Sequence, residues 1–370
     1  LPEVTKTVAQ AAGAVADEKF ANERRRLERL LPAELSPVGV ALPGQEVSDA
    51  FRAFNDYVNE EEGLPLHRLL EALARLNDYF DTLAYADNQE RAAFEASRDP
   101  EQGGAAIRNV AVALSAAPPV IQRWFGSLTV NSDRVTAAAA GAHLNDVWRA
   151  EVLSFFDKAI KGRYPLDPNA TEEVRIEDFA AFFGPGGILD RYFDNYLKPF
   201  IDTGRSRWVW RRRVAMSPDT PALFQRAKRI QEAYFRGPGR PQVGFTLKPY
   251  SAHRTVTRTL LELGGLSLSY QHGPADSKLL QWPSEGGDVA RLVCFLASRG
   301  TPVSVREEGE WAWFRLLDKY GRSEPRPAGN SLLITFEVQG IPSQYELRPQ
   351  RVVNPFTYHD IRGFTLPSKL

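Results

Sequence analysis

One cysteine, Cys294, stands in 370 residues, so no disulfide can form within the chain. Its setting, ARLVCFLAS, is an apolar run, the environment of a buried and inert thiol. A single thiol suits a cytoplasm and a periplasm alike. Long apolar runs are missing too. A bilayer span needs about 20 consecutive apolar residues, and the nearest candidate, NVAVALSAAPPVI, is shorter and is broken by Pro118-Pro119. Net charge is absent: 46 basic residues balance 46 acidic ones, so no global field draws the chain to nucleic acid or an anionic membrane. The residual split, +5 for residues 236–370 and −5 for residues 1–235, is too small to name a partner. The chain opens at Leu1-Pro2 without a methionine or a signal-peptide pattern and reads as a piece of a longer protein, so the missing span says little about the parent.

Catalytic patterns are as scarce. His67, His143, His253, His272 and His359 are scattered, none with another His or a Cys at metal-ligand spacing. No Gly-x-Ser-x-Gly elbow exists for a nucleophilic serine. The carboxylate pairs Glu172-Glu173 and Glu307-Glu308 read as solvated surface. The expectation is a protein without a catalytic site, a metal or a cofactor, and therefore not an enzyme.

What is present is a soluble globular composition, 43% hydrophobic and 25% charged. The length points to more than one domain. Residues 1–235 carry helical periodicity. SDAFRAFNDYVNEE offers Ser48 as an N-cap and sets Phe51, Phe54 and Tyr57 on one face. LHRLLEALARLNDYF aligns Leu66, Leu69, Leu70, Leu73, Leu76 and Phe80, and NDVWRAEVLSFFDKAIKGRY aligns Val147, Trp148, Val152, Phe155, Phe156 and Ile160. In TPALFQRAKRIQEAYFRG, Thr220 is placed to cap, Pro221 to start the helix and Gly237 to stop it. At RGPGRPQ, residues 236–242, two prolines and two glycines mark a linker or sharp turn. The period then drops to two in VGFTLKPY, TVTRTLLEL, LSLSYQHG, KLLQW, ARLVCFL, SLLITFEVQG and SQYELRP. EEGEWAWFRLLDKYG is the helical exception among them. The fold class expected is α+β: an N-terminal all-helical part over 1–235, with a subdomain break near 165–185, then a C-terminal β-sandwich over 243–370.

Two stretches call for a chemical reading. FFGPGGILDRYFDNYL places Gly184, Pro185, Gly186 and Gly187 before an amphipathic run, as a phosphate cradle would. The segment before it is helical, Pro185 removes a donor, and no Lys-Ser/Thr follows, so the reading is a joint between helices with Gly184 as its left-handed residue. GRSRWVWRRR, residues 204–213, interleaves Arg205, Arg207, Arg211, Arg212 and Arg213 with Trp208 and Trp210. That mixture suits nucleic acid or an anionic polymer such as cell-wall glycan. The favoured alternative is a short strand or loop clamped by its tryptophans on the helical body. Trp282, Trp311 and Trp313 read as core aromatics, though a loop tryptophan can anchor a protein partner.

VRIEDFAAFFGPGGILDRYFDNYLKPFID, followed in order by FTLKPY, LSLSYQHGP, LQWPSEGG, EWAWFRLLD, LLITFEVQG and NPFTYHDIRGF, resembles the C-terminal periplasmic region of the IcmF/TssM family of bacterial type VI secretion. The resemblance implies a structural rather than enzymatic role in a multi-copy complex across the envelope. It implies a periplasmic location, docking of the outer-membrane lipoprotein TssJ, assembly with the inner-membrane protein TssL, and self-association, with no nucleic acid. The family's nucleotide site belongs to a domain that nothing here matches. Lipoprotein docking is expected on the β half, around Gln271, His272, Gln281 and Trp282 or near Asn354 and Phe356.

Overall fold

The computed structural model describes residues 52, 57, 65–98, 103–211, 215–298, 300–327 and 330–370. Ser48, Phe51, Phe54, Arg212 and Arg213 lie outside them. The chain divides into two compact units, Leu1–Leu144 with Arg213–Ala215, and Asn145–Arg212 with Met216–Leu370. Both 165–185 and 236–242 fall inside the second unit.

In the first unit, helices α1 (Pro65–Ala84), α2 (Gln89–Arg98) and α3 (Gly103–Ser115) are followed by α4 (Pro119–Val147), which belongs to it as far as Leu144. Leu69, Leu73 and Leu76 repeat at the helical period and pack on Val110, Leu114, Ile121 and Phe125. Tyr57 joins this core, while Leu66 and Phe80 are only partly buried at its margin.

In the second unit the end of α4 passes into a π-helical turn, Trp148–Leu153, running into α5 (Ser154–Ala159). Next come α6 (Ile176–Phe183), α7 (Ile188–Tyr192) and a second π-helical turn, Phe193–Leu197. A two-stranded antiparallel ribbon, β1 (Ile201–Asp202) and β2 (Val209–Trp210), precedes α8 (Thr220–Tyr234). Pro221 sits in the first turn of α8 as expected, but Thr220 is not its cap. Thr220 lies four residues before Phe224, on the buried face, and its hydroxyl finds no partner. The helix also ends earlier than Gly237, where Phe235 turns extended and buries its ring. Residues 236–242 form a sharp turn rather than a loose tether: Gln242 donates back to the Tyr234 carbonyl at 2.7 Å.

The joint between α6 and α7 corrects one detail of the sequence reading. Gly184 is extended, with φ −66° and ψ 161°, and the left-handed residue is Gly186, with φ +71°. Gly184 is required for another reason: a Cβ there would stand 2.5 Å from the Ala180 carbonyl oxygen. The Gly186 N–H that an anion would seek is taken by the Asp190 carboxylate at 2.8 Å. The N–H groups of Gly184, Gly186 and Gly187 are thus all bonded within the chain, as a helix joint needs.

Nine strands then build a sandwich. One sheet has the order β6 (Lys278–Trp282), β3 (Val243–Ala252), β11 (Ile341–Pro349), β10 (Leu332–Val338), β9 (Gly321–Pro325). The other runs β5 (Leu266–Tyr270), β4 (Val256–Leu263), β7 (Val289–Leu296), β8 (Val303–Glu308). All pairings are antiparallel. β8 ends in three consecutive charged residues and β9 buries no side chain, so both lack the clear alternation of the other seven, which is why periodicity misses them. Between the sheets, the Tyr345 hydroxyl donates to Thr259 Oγ1 at 3.0 Å and Cys294 lies 3.7 Å from Ser343. Burial pushes the Cys294 thiol up, so it stays protonated and inert.

The helical segment and the sandwich share one core, because helix α9 (Ala312–Tyr320) and the loop before it enter both. Arg315 is the fastener. Its guanidinium donates to Glu173 at 2.6 Å and to the carbonyls of Ala170 and Thr171 at 3.0 and 3.1 Å, and it lies over the Tyr164 ring. Trp311 Nε1 donates to the Val174 carbonyl at 2.6 Å, and the Tyr164 hydroxyl donates to Asp318 at 2.8 Å. The acidic pairs are thus split. Glu173 and Glu307 turn inward, the latter to Lys319 at 2.7 Å, and only Glu172 and Glu308 remain at the surface. The C-terminal segment closes the same core: Phe364 meets Phe156 and Phe183, Trp148 donates to the Pro367 carbonyl, and Arg229 pairs with Asp360.

Two stability outcomes follow from these contacts. Gly184→Ala drives a methyl into a helix carbonyl and is expected to lower the melting temperature more than Gly186→Ala. The latter has open space and meets only the left-handed penalty of about 1–2 kcal/mol; equal shifts in thermal unfolding would contradict the geometry. Arg315→Ala strands Glu173 in a site where its side chain is 18% exposed, and should cost about 3–5 kcal/mol by chemical denaturation. Arg315→Lys should recover little of this, since an ammonium cannot span three acceptors in a plane.

Candidate functional site

The sandwich has two lateral sides, and they are finished differently. On one, β8 and β9 are the edge strands, and α9 connects them while packing on both sheets. On the other, the edges are β5 and β6, joined by the irregular loop Gln271–Ser277, with no helix between them. An uncovered edge offers backbone N–H and C=O groups to an added strand.

The local sequence explains the exposure. In KLLQW the inward positions are Leu280 and Trp282, so the alternation turns Leu279 and Gln281 outward. Leu279, opposite Thr246 on β3, is 62% exposed, and Leu266 at the start of β5 is 46% exposed. Tyr250 of β3 is 49% exposed, with the Arg326 guanidinium over its ring. Lys278 Nζ ties β6 to the Ser267 carbonyl of β5 at 2.7 Å, and the Tyr270 hydroxyl reaches the Tyr250 carbonyl at 3.4 Å. His272 takes a left-handed turn at φ +60°, bonds through Nε2 to the Val256 carbonyl and sits beside the Tyr270 ring. These bonds hold the loop against the edge.

The six expected contact residues separate into two groups. Gln271, His272 and Gln281 are exposed on this side. Trp282, Asn354 and Phe356 are core residues, 4%, 3% and 7% exposed, and present no surface to a partner. Trp282 packs against Trp311 with the rings tilted by 44° and donates to the Glu310 carbonyl at 2.8 Å. The Asn354 side chain accepts the N–H groups of Phe356 and Thr357 and donates to two carbonyls, fixing the turn that seats Phe356 on Phe245. Leu279, Leu266 and Tyr250 were missed from sequence. The strand period alone places Leu279 outward, but only the strand order shows that its strand is an edge.

The Arg/Trp stretch is clamped as its plainer reading requires. The Trp208 ring lies 5.1 Å from that of Phe193, the Trp208 backbone N–H donates to the Gln225 side-chain oxygen, and Trp210 Nε1 donates to the Ser217 carbonyl. Among the described residues no three His, Cys, Asp or Glu side chains converge as a metal site would need. A cavity beneath Gln281 and Trp282 holds only about 20 Å³. No helix among the described residues is long and apolar enough to cross a membrane.

Known proteins share this architecture. Residues 138–225 match the type VI secretion protein IcmF helical domain, and residues 245–351 match the IcmF C2-like domain, which coincides with the sandwich. The type VI secretion system component TssM1 of Pseudomonas aeruginosa is 32% identical over 337 residues, covering 88% of this chain. The chain spans only 30% of that protein's length. Among solved structures, the C-terminal domain of the type VI secretion protein TssM from EAEC aligns with a TM-score of 0.56 at 24% identity, covering 62% of this chain and 98% of that one. A chain of a type VI secretion system membrane core complex aligns with a TM-score of 0.69 at 19% identity, over 90% of this chain and 72% of that one. With both IcmF domains present in order and a TssM1 relative along most of its length, the chain belongs to the IcmF family of type VI secretion proteins.

Proposed function

We propose that the chain is the periplasmic end of a structural, non-enzymatic component of the type VI secretion membrane complex, and that it docks the outer-membrane lipoprotein TssJ through the open side of its sandwich. The observation that carries this reading is the uncovered β5/β6 side, where Leu279 and Leu266 stand exposed beside Gln271, His272 and Gln281. A lipoprotein strand or loop laid along β6 would satisfy backbone groups that β3 leaves open and would cover Leu279. The shared core of helices and sandwich supports the role of a strut, since load applied at the edge passes into one packed body. Association with TssL and self-association into a multi-copy assembly belong to the same reading. They fit relatives whose solved structures are described as type VI membrane complexes.

Titration of the purified protein with the soluble domain of the cognate lipoprotein should show saturable binding at micromolar concentration or tighter. Leu279→Asp, on an exposed position, should weaken it by about tenfold or more while leaving the melting temperature unchanged. Absence of binding by the folded wild-type protein would end the proposal. Unchanged affinity in the variant would move the docking surface away from β6.

A further inference from the structure

Helix α4 buries one face and leaves the opposite one in solvent. Ile121, Phe125, Ser132 and Thr136 recur at helical spacing and turn inward. The outward stripe carries Val120, Arg123, Trp124, Asn131, Arg134 and Val135, all exposed. Three of these are large apolar side chains: Trp124 is 62% exposed, Val135 56% and Val120 45%. The docking proposed for the sandwich edge makes no use of this stripe.

Its charge has one sign. Arg123 and Arg134 border the apolar side chains on one side and have no ion-pair partner among the described residues. No carboxylate shares the stripe. Asp133, the nearest in sequence, falls on the flank of the helix where its charge reaches Tyr79 of α1. Residues 102–132 contain no Asp or Glu at all, although 46 of the 370 residues are acidic. The chain as a whole is neutral, so this bias is local.

We propose that the outward stripe of α4 rests on an anionic phospholipid surface, with Val120, Trp124 and Val135 entering the interface and Arg123 and Arg134 meeting headgroup phosphates. The arrangement is that of a helix lying in the interface plane, with arginines beside an aromatic and aliphatic stripe, and not of a span. The arginines stand about 16 Å apart along the axis, far enough to reach separate headgroups. A second copy of the chain is a poor occupant, because a two-fold pairing of this stripe brings arginines together with no carboxylate to answer them. A protruding tryptophan also needs a pocket in a protein partner, whereas a bilayer interface takes it without one.

Co-sedimentation of the purified chain with vesicles of equal parts phosphatidylglycerol and phosphatidylcholine tests this. Binding should appear at low salt, weaken as salt is raised to about 0.5 M, and be absent with phosphatidylcholine alone. Trp124→Asp and the Arg123→Glu, Arg134→Glu double variant should each lower the vesicle affinity about tenfold or more. All three positions are exposed, so both variants should melt like the wild type and keep their affinity for the lipoprotein, which separates the stripe from the sandwich edge. No binding by the wild type, equal binding to zwitterionic vesicles, or indifference to both variants would each overturn the proposal. Lipid-free self-association that Trp124→Asp abolishes would overturn it too, by giving the stripe to a second copy.

Discussion

Everything in the second unit turns on a buried guanidinium. Arg315 leaves water to satisfy a carboxylate and two loop carbonyls at once, over the face of a tyrosine. Those acceptors belong to the segment between α5 and α6, whereas Arg315 belongs to a helix inserted between two strands of the sandwich. A charge so placed is costly to bury and tolerable only when every partner is present. The interaction therefore specifies one mutual arrangement of helices and sheets, while the aromatic cluster around Trp311, Phe179, Tyr234 and Trp282 supplies the apolar burial that favours it.

That arrangement decides which parts of the sandwich are free. Helix α9 serves both as carrier of Arg315 and as cover for the β8/β9 side, so the side left open is the one that α9 does not reach. Short edge strands, an edge lysine and a tied-down loop limit indiscriminate pairing at β5 and β6. The docking proposed for this side would need no catalytic groups, only a rigid backing and an unpaired edge.

The helical part adds a second kind of surface. The same phenylalanines that pin the α6–α7 joint also line an aromatic cleft, and Trp208 of the Arg/Trp ribbon closes one side of it. Two stretches that stand out separately in the sequence, the glycine joint and the arginine run, are neighbours in space.

Helical periodicity in residues 65–84, 148–160 and 220–234, the switch to a period of two after 236–242, and seven of the nine sandwich strands are legible in the chain itself. They depend on local spacing of apolar residues, and local spacing survives folding. The glycine joint was legible as a joint but not in its detail, because Gly184 answers to a carbonyl four residues earlier rather than to its own torsion angle. Glu173, Thr220, Asn354 and Phe356 were misplaced in the sequence reading because burial of a polar or loop residue is settled by partners far along the chain. Composition and periodicity determined the class and the order of elements. Only the tertiary structure decided which strand is an edge, which glutamate is buried and where an open surface lies, because those properties arise from contacts between residues distant in sequence.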